Sequence, residues 1–576
     1  MDISKNVRVL LNMAYLLMSF IFLNHFFVLV SFLTSGKFLP AVFPMSFLTA
    51  VCLSIYKGKK DAIKGVQLFL PAIVSFLLLV FSLLFSVQFY DFSFDGQWYH
   101  QPAVYKLAGG WNTFLNPLEE AHKSILHFPK GTWYFSASVY STLGFFEAAK
   151  CLNILMIVIA AIMVYTTSIE YKISQIKSIA LSAMVTLHPV VWSELTTFQN
   201  DNNLYLNIVI YFVAILAWFR NQNRTSVLIG IMACVCLINI KFTGLLFFCV
   251  FAAFAFVYFL IWKREYLLKF IGVHSAIIVL GVLIFGFNPY VTNLIHRGNP
   301  LYPLLGSKDY PGDLSGDKDG NEKYETPKNM VGKPIYERFF YANFGSPSNA
   351  PYNNQENAEL VIPFTSKVSD WKVYRFHDLR IAAFGPFYSG ILILSVGFLI
   401  FLLITSDKYR WLMLLPIVAI IASLLLSKHF WWARFGPQLW LFPIILIFVS
   451  FLSAGSKFRS IFNWTLVSLI IVNGLIVLSI HLNWVHQSTN KLKAQLTEIK
   501  QQGKPIEICM GWFDKSMNHK LDDWGINYTN IPRKEFKKKN KEDFTELMSV
   551  VEGYPGINRY RVMVDNKEQT SFKSNK

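Results

Sequence analysis

The chain has 576 residues, 54% hydrophobic and 16% aromatic, with only 15% charged and a formal charge of +18. That composition excludes an ordinary soluble enzyme and a disordered chain, and it places the protein among integral membrane proteins. The positive excess does not call for nucleic acid, because multi-span proteins concentrate Lys and Arg in cytoplasmic loops and against anionic headgroups.

The first apolar run, from about Val7 to Leu33, is too long for a signal-peptide core and lacks a small-residue cleavage site, so it reads as a retained signal anchor. Continuing along the chain, runs able to cross about 30 Å of hydrocarbon recur. The hydropathy pattern predicts about thirteen spans, at 8–33, 39–56, 66–87, 150–168, 178–193, 204–219, 225–240, 245–262, 268–287, 381–405, 411–427, 438–454 and 461–482. The tail differs: "STNKLKAQLTEIKQQGK" reads as a polar-faced helix, and "PIEICM" and "RYRVMV" read as short strands. The expected architecture is an all-α polytopic membrane domain over 1–484 and a small soluble α/β domain over 485–576. Five of the six cysteines, Cys52, Cys151, Cys234, Cys236 and Cys249, lie in apolar runs, and only Cys509 does not. Neither a disulfide framework nor a metal-ligand spacing follows from that distribution.

Basic residues in the short loops set an orientation. Lys57, Lys59, Lys60, Lys64, Lys172, Lys177, Arg220 and Arg224 belong to one side, with Lys5 and Arg8. Lys263, Arg264, Lys269, Lys408, Arg410, Lys457 and Arg459 join them, while the opposite short loops hold only Lys37, Lys241, Lys428 and Arg434. The positive-inside rule then places the amino terminus in the cytoplasm, and the long loops 88–149 and 288–380 and the tail outside. Asp91, Asp95, Asp201, Lys241 and Arg434 all arrive at that external face.

The first candidate site is "DFSFDGQWYHQP", 91–102, at the mouth of the third span. A charge at the bilayer centre costs roughly 2.5–3.5 kcal/mol, so Asp91 and Asp95 belong at or beyond the interface. On a helical backbone their i, i+4 spacing would put both carboxylates on one face, where repulsion of about 3 kcal/mol would push one toward neutrality. That asymmetry suits a general base beside an orienting carboxylate; two solvated aspartates at a helix end are the plainer alternative. The second candidate is "ELTTFQNDNNLYL", 194–206, where Asp201 stands among Gln199, Asn200, Asn202 and Asn203; a short polar turn is the plainer reading there.

Candidate phosphate binders follow. "NPYVTNLIHRGNPLYP", 288–303, carries His296 and Arg297 in a Pro- and Gly-punctuated loop. "KVYRFHDLR", 372–380, brings Lys372, Arg375, His377 and Arg380, and "KHFWWARFGPQ", 428–438, brings Lys428, His429 and Arg434. Arg offers phosphate a planar fork and Lys a point charge. The absence of a Gly-rich nucleotide loop, a Walker sequence and zinc-ligand spacing disfavours nucleotide chemistry and favours a lipid-borne substrate.

With these motifs the sequence resembles the GT-C superfamily of membrane glycosyltransferases, which includes protein O-mannosyltransferases and lipid A aminoarabinose transferases. The resemblance rests on "DGQWYHQPAVYKLAGGW" (95–111), "NPYVTNLIHRGNPLYP" (288–303) and "RFGPQL" (434–439). It implies a GT-C-like fold and inverting transfer of a sugar from a polyprenyl-phosphate donor to an extracytoplasmic glycan, lipid or protein hydroxyl. It further implies residence in a bacterial inner membrane, and the charge distribution has already argued against a nucleic-acid partner. By resemblance, Asp95 would be the first-loop catalytic carboxylate, Asp91 its acidic partner and Asp201 the acid of the second external loop. Arg434, Lys428, His429, Lys241, Arg375, His377, Arg380 and Arg297 would steady the lipid phosphate, and Tyr99, His100 and Trp111 would line the acceptor and sugar pocket. No cofactor is implied beyond a divalent cation that would stand in for Arg or Lys at the leaving group. The chain departs from the family in carrying three expected spans before the catalytic loop, where one is usual, and in separating its acids at 91 and 95. The alternatives are an O-antigen ligase or polymerase, which relies on Arg and His of a large loop, and a lipid-linked sugar transporter or flippase.

Overall fold

The structure is a computed structural model that describes residues 3–114, 122–313, 326–348, 357–378, 380–405, 409–427, 429–453, 456–510, 513–538, 544–547 and 559–563. Most of these residues are helical. Among them, seven helices are long and apolar enough to cross a membrane: Lys5–Ser35, Phe146–Glu170, Asp201–Asn221, Phe242–Trp262, Arg264–Ile284, Tyr388–Thr405 and Lys457–Gln502. Four shorter apolar helices, Leu70–Ser86, Arg224–Ile238, Arg410–Leu425 and Pro437–Phe451, pack among them.

The thirteen-span expectation is therefore only partly met. Two of the expected spans have no counterpart among the apolar helices. The helix Val42–Lys60 lies along the first helix but ends in Lys57, Lys59 and Lys60, which lowers its apolar character. The run 178–193 is broken: its helix, Gln175–Thr186, has 12 residues and stops before Pro189. Twelve residues rise only about 18 Å, well short of the hydrocarbon thickness. His188 fills the break, its Nδ1 accepting from the Val190 N–H at 2.9 Å.

Where lipid offers no hydrogen bonds, helices associate through small residues and shared polar groups. Asn24 Nδ2 donates to Ser138 Oγ at 2.8 Å, and Asn12 Nδ2 donates to the Ser54 carbonyl at 3.0 Å. Gly230 faces Ala214 so closely that a Cβ there would lie 2.5 Å from the Ala214 Cβ. Any larger residue would force the two helices apart.

The boundary expected at 485 falls within a helix. The last span and the polar-faced helix expected after it are one helix, Lys457–Gln502, of 46 residues. At 1.5 Å per residue it extends about 69 Å, more than twice the hydrocarbon core, so its second half stands clear of the membrane. Gly503, at φ +62°, ends it in the left-handed conformation that a glycine adopts without strain.

Beyond it lie strands β1 (Ile506–Cys509), β2 (Tyr528–Asn530), β3 (Thr545–Glu546) and β4 (Arg559–Val562), in the order β2-β1-β4-β3. β1 runs parallel to β2 and antiparallel to β4. The two strands read from the sequence are β1 and β4. Ile506, Ile508, Met517 and Leu521 share a core with Leu492, Leu496 and Ile499 of the long helix and with Tyr90 and Phe92 of the first long loop. The tail is thus packed onto the loop that carries Asp95.

Candidate active site

The segment 91–93 is not helical, and helical turns begin only at Phe94. Asp91 and Asp95 therefore do not share a helix face, which corrects the i, i+4 expectation. Asp91 is fully buried. Its Oδ1 accepts from the Ser93 N–H at 2.7 Å and the Ser93 hydroxyl at 2.6 Å, and its Oδ2 accepts from the Phe198 N–H at 2.9 Å. A carboxylate holding two backbone donors fastens the first long loop to the short loop that carries Asp201. Gly96 makes room for it: a Cβ at 96 would lie 2.0 Å from Asp91 Oδ2.

Asp95 faces the other way. Its Oδ2 accepts from Arg434 Nη1 at 2.8 Å, with its side chain 22% exposed. Arg434 also stands 3.0 Å through Nε from Asp378 Oδ1 and 4.0 Å from Asp201 Oδ2. Asp201 in turn accepts from Lys241 Nζ at 2.8 Å. Arg380 pairs with Asp378 at 3.6 Å and lies over the Trp432 ring at 3.7 Å. Lys241 and Arg434 both lie over the Phe435 ring, at 4.6 and 4.8 Å. Acids and bases from separate connections thus meet in one buried cluster. Burial alone would weaken the Arg434 charge, but Asp378, Asp95, Asp201 and Glu194 outweigh it and hold the guanidinium charged.

Two members of the cluster escaped the sequence reading. Glu194 is fully buried; its Oε2 accepts from the Asn202 N–H at 2.8 Å, and among the described residues its Oε1 has no hydrogen-bond partner. Burial, followed by repulsion from Asp201, pushes its carboxyl well above the usual range. Beside it, Asp95, Asp201 and Asp378 pair with Arg434, Lys241 and Arg380. Asp378 was also overlooked, between His377 and Arg380 in a stretch read only for its bases. The signal for both was available: an acid at the end of an apolar helix needs a partner, and the bases nearby supply it.

The loop of Asp201 is an internal scaffold rather than a solvated turn. Gln199, Asn200, Asn202 and Asn203 are all buried. Asn153 Nδ2 donates to the carbonyls of Glu194, Leu195 and Thr197 at 3.0–3.1 Å, and its Oδ1 accepts from Asn203 at 2.8 Å.

The remaining candidates divide. Tyr99 packs against His100 with tilted rings, centroids 4.2 Å apart, and burial together with the Asp95 carboxylate pushes its phenol up, which places it beside the cluster. His100 is 2% exposed, and its Nδ1 accepts from Trp133 Nε1 at 2.6 Å. His377 is buried, and its Nδ1 donates to the Ser193 carbonyl at 2.6 Å. His429 packs beside Trp432 and Phe435, at 6.1 and 6.0 Å. Lys428 lies outside the described residues. Arg297 lies over Tyr302 and Tyr310, at 5.8 and 4.6 Å, and no ion pair joins it to the cluster among the described residues. Trp111 packs under Lys130, at 5.6 Å. Arg375 lines a separate groove against the long helix.

The motif 288–303 serves as a brace. Asn293 Nδ2 donates to the Tyr302 carbonyl at 2.7 Å, and Asn288 Nδ2 to the Thr113 carbonyl at 3.0 Å, tying this loop to the first. Among the described residues, no three His, Cys, Asp or Glu side chains form a group that could hold a metal ion. The cluster carboxylates turn toward Arg434 and Lys241 instead, so this donor set does not fit a divalent cation. A scan against protein-family models, a search of curated proteins and a search of solved structures each return no match.

Proposed function

We propose that the chain is a GT-C-like membrane glycosyltransferase with about thirteen spans, moving a sugar from a polyprenyl-phosphate donor to an extracytoplasmic hydroxyl with inversion. The observation that carries the reading is the buried meeting of Asp95, Asp201 and Asp378 with Arg434, Lys241 and Arg380 at one end of the helices. In this reading Asp95 accepts the acceptor's hydroxyl proton as that oxygen bonds to the anomeric carbon. The bond from that carbon to the phosphate oxygen breaks, and the leaving phosphate keeps the electron pair. Arg434, Lys241 and Arg380 stabilise its charge. A donor phosphate would compete with Asp95 for Arg434, freeing the carboxylate to act as base once the donor is bound.

The same reading puts the amino terminus in the cytoplasm and the cluster outside, in a bacterial inner membrane, facing a cell-envelope acceptor. A ligase or polymerase of lipid-linked glycan is the second reading, favoured by the burial of His377 and Arg380 from the long loop. Mass spectrometry of extracted lipids tests both, on cells with the wild type, Asp95→Asn or no protein. One polyprenyl-phosphate sugar should accumulate in the variant and the deletion alike. A lipid-linked oligosaccharide accumulating instead would favour the ligase. No accumulated species in either would remove the transferase reading.

A further inference from the structure

Next to the Asp201–Lys241 ion pair, the first span, the helix Gly131–Leu143 and the helix Asp201–Asn221 enclose a small internal cavity of about 20 Å³. Asn203 and Asn207 line it from the helix that Asp201 begins, and Ile240 lines it from beside Lys241. At 1.5 Å per residue, Asn207 stands about 9 Å along the helix from Asp201. Four side chains of the wall, His25, Thr132, Asn203 and Asn207, are only 1–8% exposed. Each carries a buried atom that has no hydrogen-bond partner among the described residues: His25 Nε2, Thr132 Oγ1, Asn203 Oδ1 and Asn207 Oδ1. Leaving one such atom unanswered is costly, and four around one cavity point to an occupant.

The surrounding hydrogen bonds decide what that occupant must supply. Asn153 Nδ2 donates to three carbonyls, so its Oδ1 is the acceptor that meets Asn203 Nδ2 at 2.8 Å. Asn207 Nδ2 donates to the Asn203 carbonyl at 2.7 Å. Both amide nitrogens are thus committed, and both amide oxygens are left as acceptors. The Phe285 backbone carbonyl takes the His25 proton at the other ring nitrogen, so Nε2 presents a lone pair. Against these three acceptors the four side chains offer one hydrogen, that of the Thr132 hydroxyl. A hydrocarbon would satisfy none of them, and an anion would be repelled. A single water held by the Thr132 hydroxyl has two hydrogens to give and leaves one acceptor unanswered. A cation answers all four atoms at once.

We propose that this cavity binds one sodium ion, held by the hard oxygens Asn203 Oδ1, Asn207 Oδ1 and Thr132 Oγ1, with His25 Nε2 beside them. The volume admits one water-sized body, which needs roughly 10–15 Å³, so the ion enters stripped of its water. Among the described residues no carboxylate lines the cavity, which favours a single charge over a double one. Cys236, in the last turn of the helix Arg224–Ile238, brings the negative end of that helix to the wall. Asp201, in the first turn of its own helix, offsets the positive end there. Bound in this place, sodium ties the first span and the helix Gly131–Leu143 to the helix of Asp201, whatever reaction the cluster performs.

Thermal unfolding of the full chain in detergent tests this, with sodium chloride replacing choline chloride at constant total salt. The melting temperature of the wild type should rise with sodium, and at a hundredfold excess over the dissociation constant the unfolded fraction should fall about a hundredfold. Thr132→Val keeps the shape and removes the oxygen, and it should weaken the sodium response at least about tenfold, the effect of one lost ligand. Thr132→Ser keeps the oxygen and should leave the response within about twofold of the wild type. Asn207→Leu is a second removal of a ligand oxygen and should act as Thr132→Val does. A wild-type melting temperature indifferent to the exchange of choline for sodium overturns the proposal and leaves a buried water as the occupant. A sodium response that persists unchanged in both Thr132→Val and Asn207→Leu also overturns it, since the ion then binds elsewhere.

Discussion

The Asp91 carboxylate accepts two backbone N–H groups inside the protein, while Asp95 faces a guanidinium at the edge of the cluster. The same substitution should therefore separate them. Asp91→Asn keeps the shape but weakens bonds to buried donors, at a cost of about 2 kcal/mol. Asp95→Asn removes a partly exposed ion-pair partner and should cost less than about 1 kcal/mol. Thermal unfolding in detergent should thus show a clear drop for Asp91→Asn and a small one for Asp95→Asn, with transfer lost in the latter. Equal drops would mean that both are structural. His100 supplies a pH test at the same scale. Burial, then Lys241 and Arg434, push its imidazole well below 6.5, and its Nδ1 must stay unprotonated to accept from Trp133. Because the folded value lies below the unfolded one, the full contribution is present above about pH 6.5 and is lost as pH falls below it. His100→Gln should flatten the fall in melting temperature between pH 7.5 and 5.5, and an unchanged slope would assign that fall to other groups.

At the scale of elements, the helix Asp514–Asp523 of the tail grips the first long loop. Ser516 Oγ donates to the Gln97 carbonyl at 2.5 Å, Lys520 Nζ donates to Gln101 Oε1 at 3.1 Å, and His519 stacks on Tyr105 with centroids 3.6 Å apart. Phe513 meets Phe94 edge-on at 5.3 Å, next to Asp95 in sequence. These contacts fix the helical turns from which Asp95 projects. Replacing His519 by Ala removes the stack without leaving a buried charge. Hydrogen exchange at residues 94–105 should then rise about tenfold, the effect of a local loss near 1.4 kcal/mol. No change in that segment would show that the loop holds its shape unaided.

For the whole molecule, the tail is the part whose placement matters most. Its core includes Tyr90 and Phe92 from the first loop, and Trp524 Nε1 donates to the Tyr90 hydroxyl at 2.9 Å. A protease site engineered at the exposed Gly503 should cut the chain without releasing the tail, which would co-elute with the membrane part in detergent. Release on cutting would make the tail an independent lobe. The long helix also explains why no composition boundary could mark a domain boundary. The chain turns polar after 482 because it leaves the lipid, and the helix simply continues in water.

The membrane character, most of the apolar helices and the two strands β1 and β4 were legible in the sequence, because burial in lipid or in a sheet imposes a periodicity that one chain displays. Asp95, Asp201, Lys241 and Arg434 were legible too, since a charge at the end of an apolar helix stands out. What only the tertiary structure decided is how those charges are divided. Whether a carboxylate faces a guanidinium, as Asp95 does, or a pair of backbone N–H groups, as Asp91 does, depends on a loop more than a hundred residues away. Glu194 and Asp378 joined the cluster, and Arg297 and Arg375 left it, for the same reason. Lateral hydrophobicity is a property of each segment, but a charge is satisfied by whatever the fold brings to it.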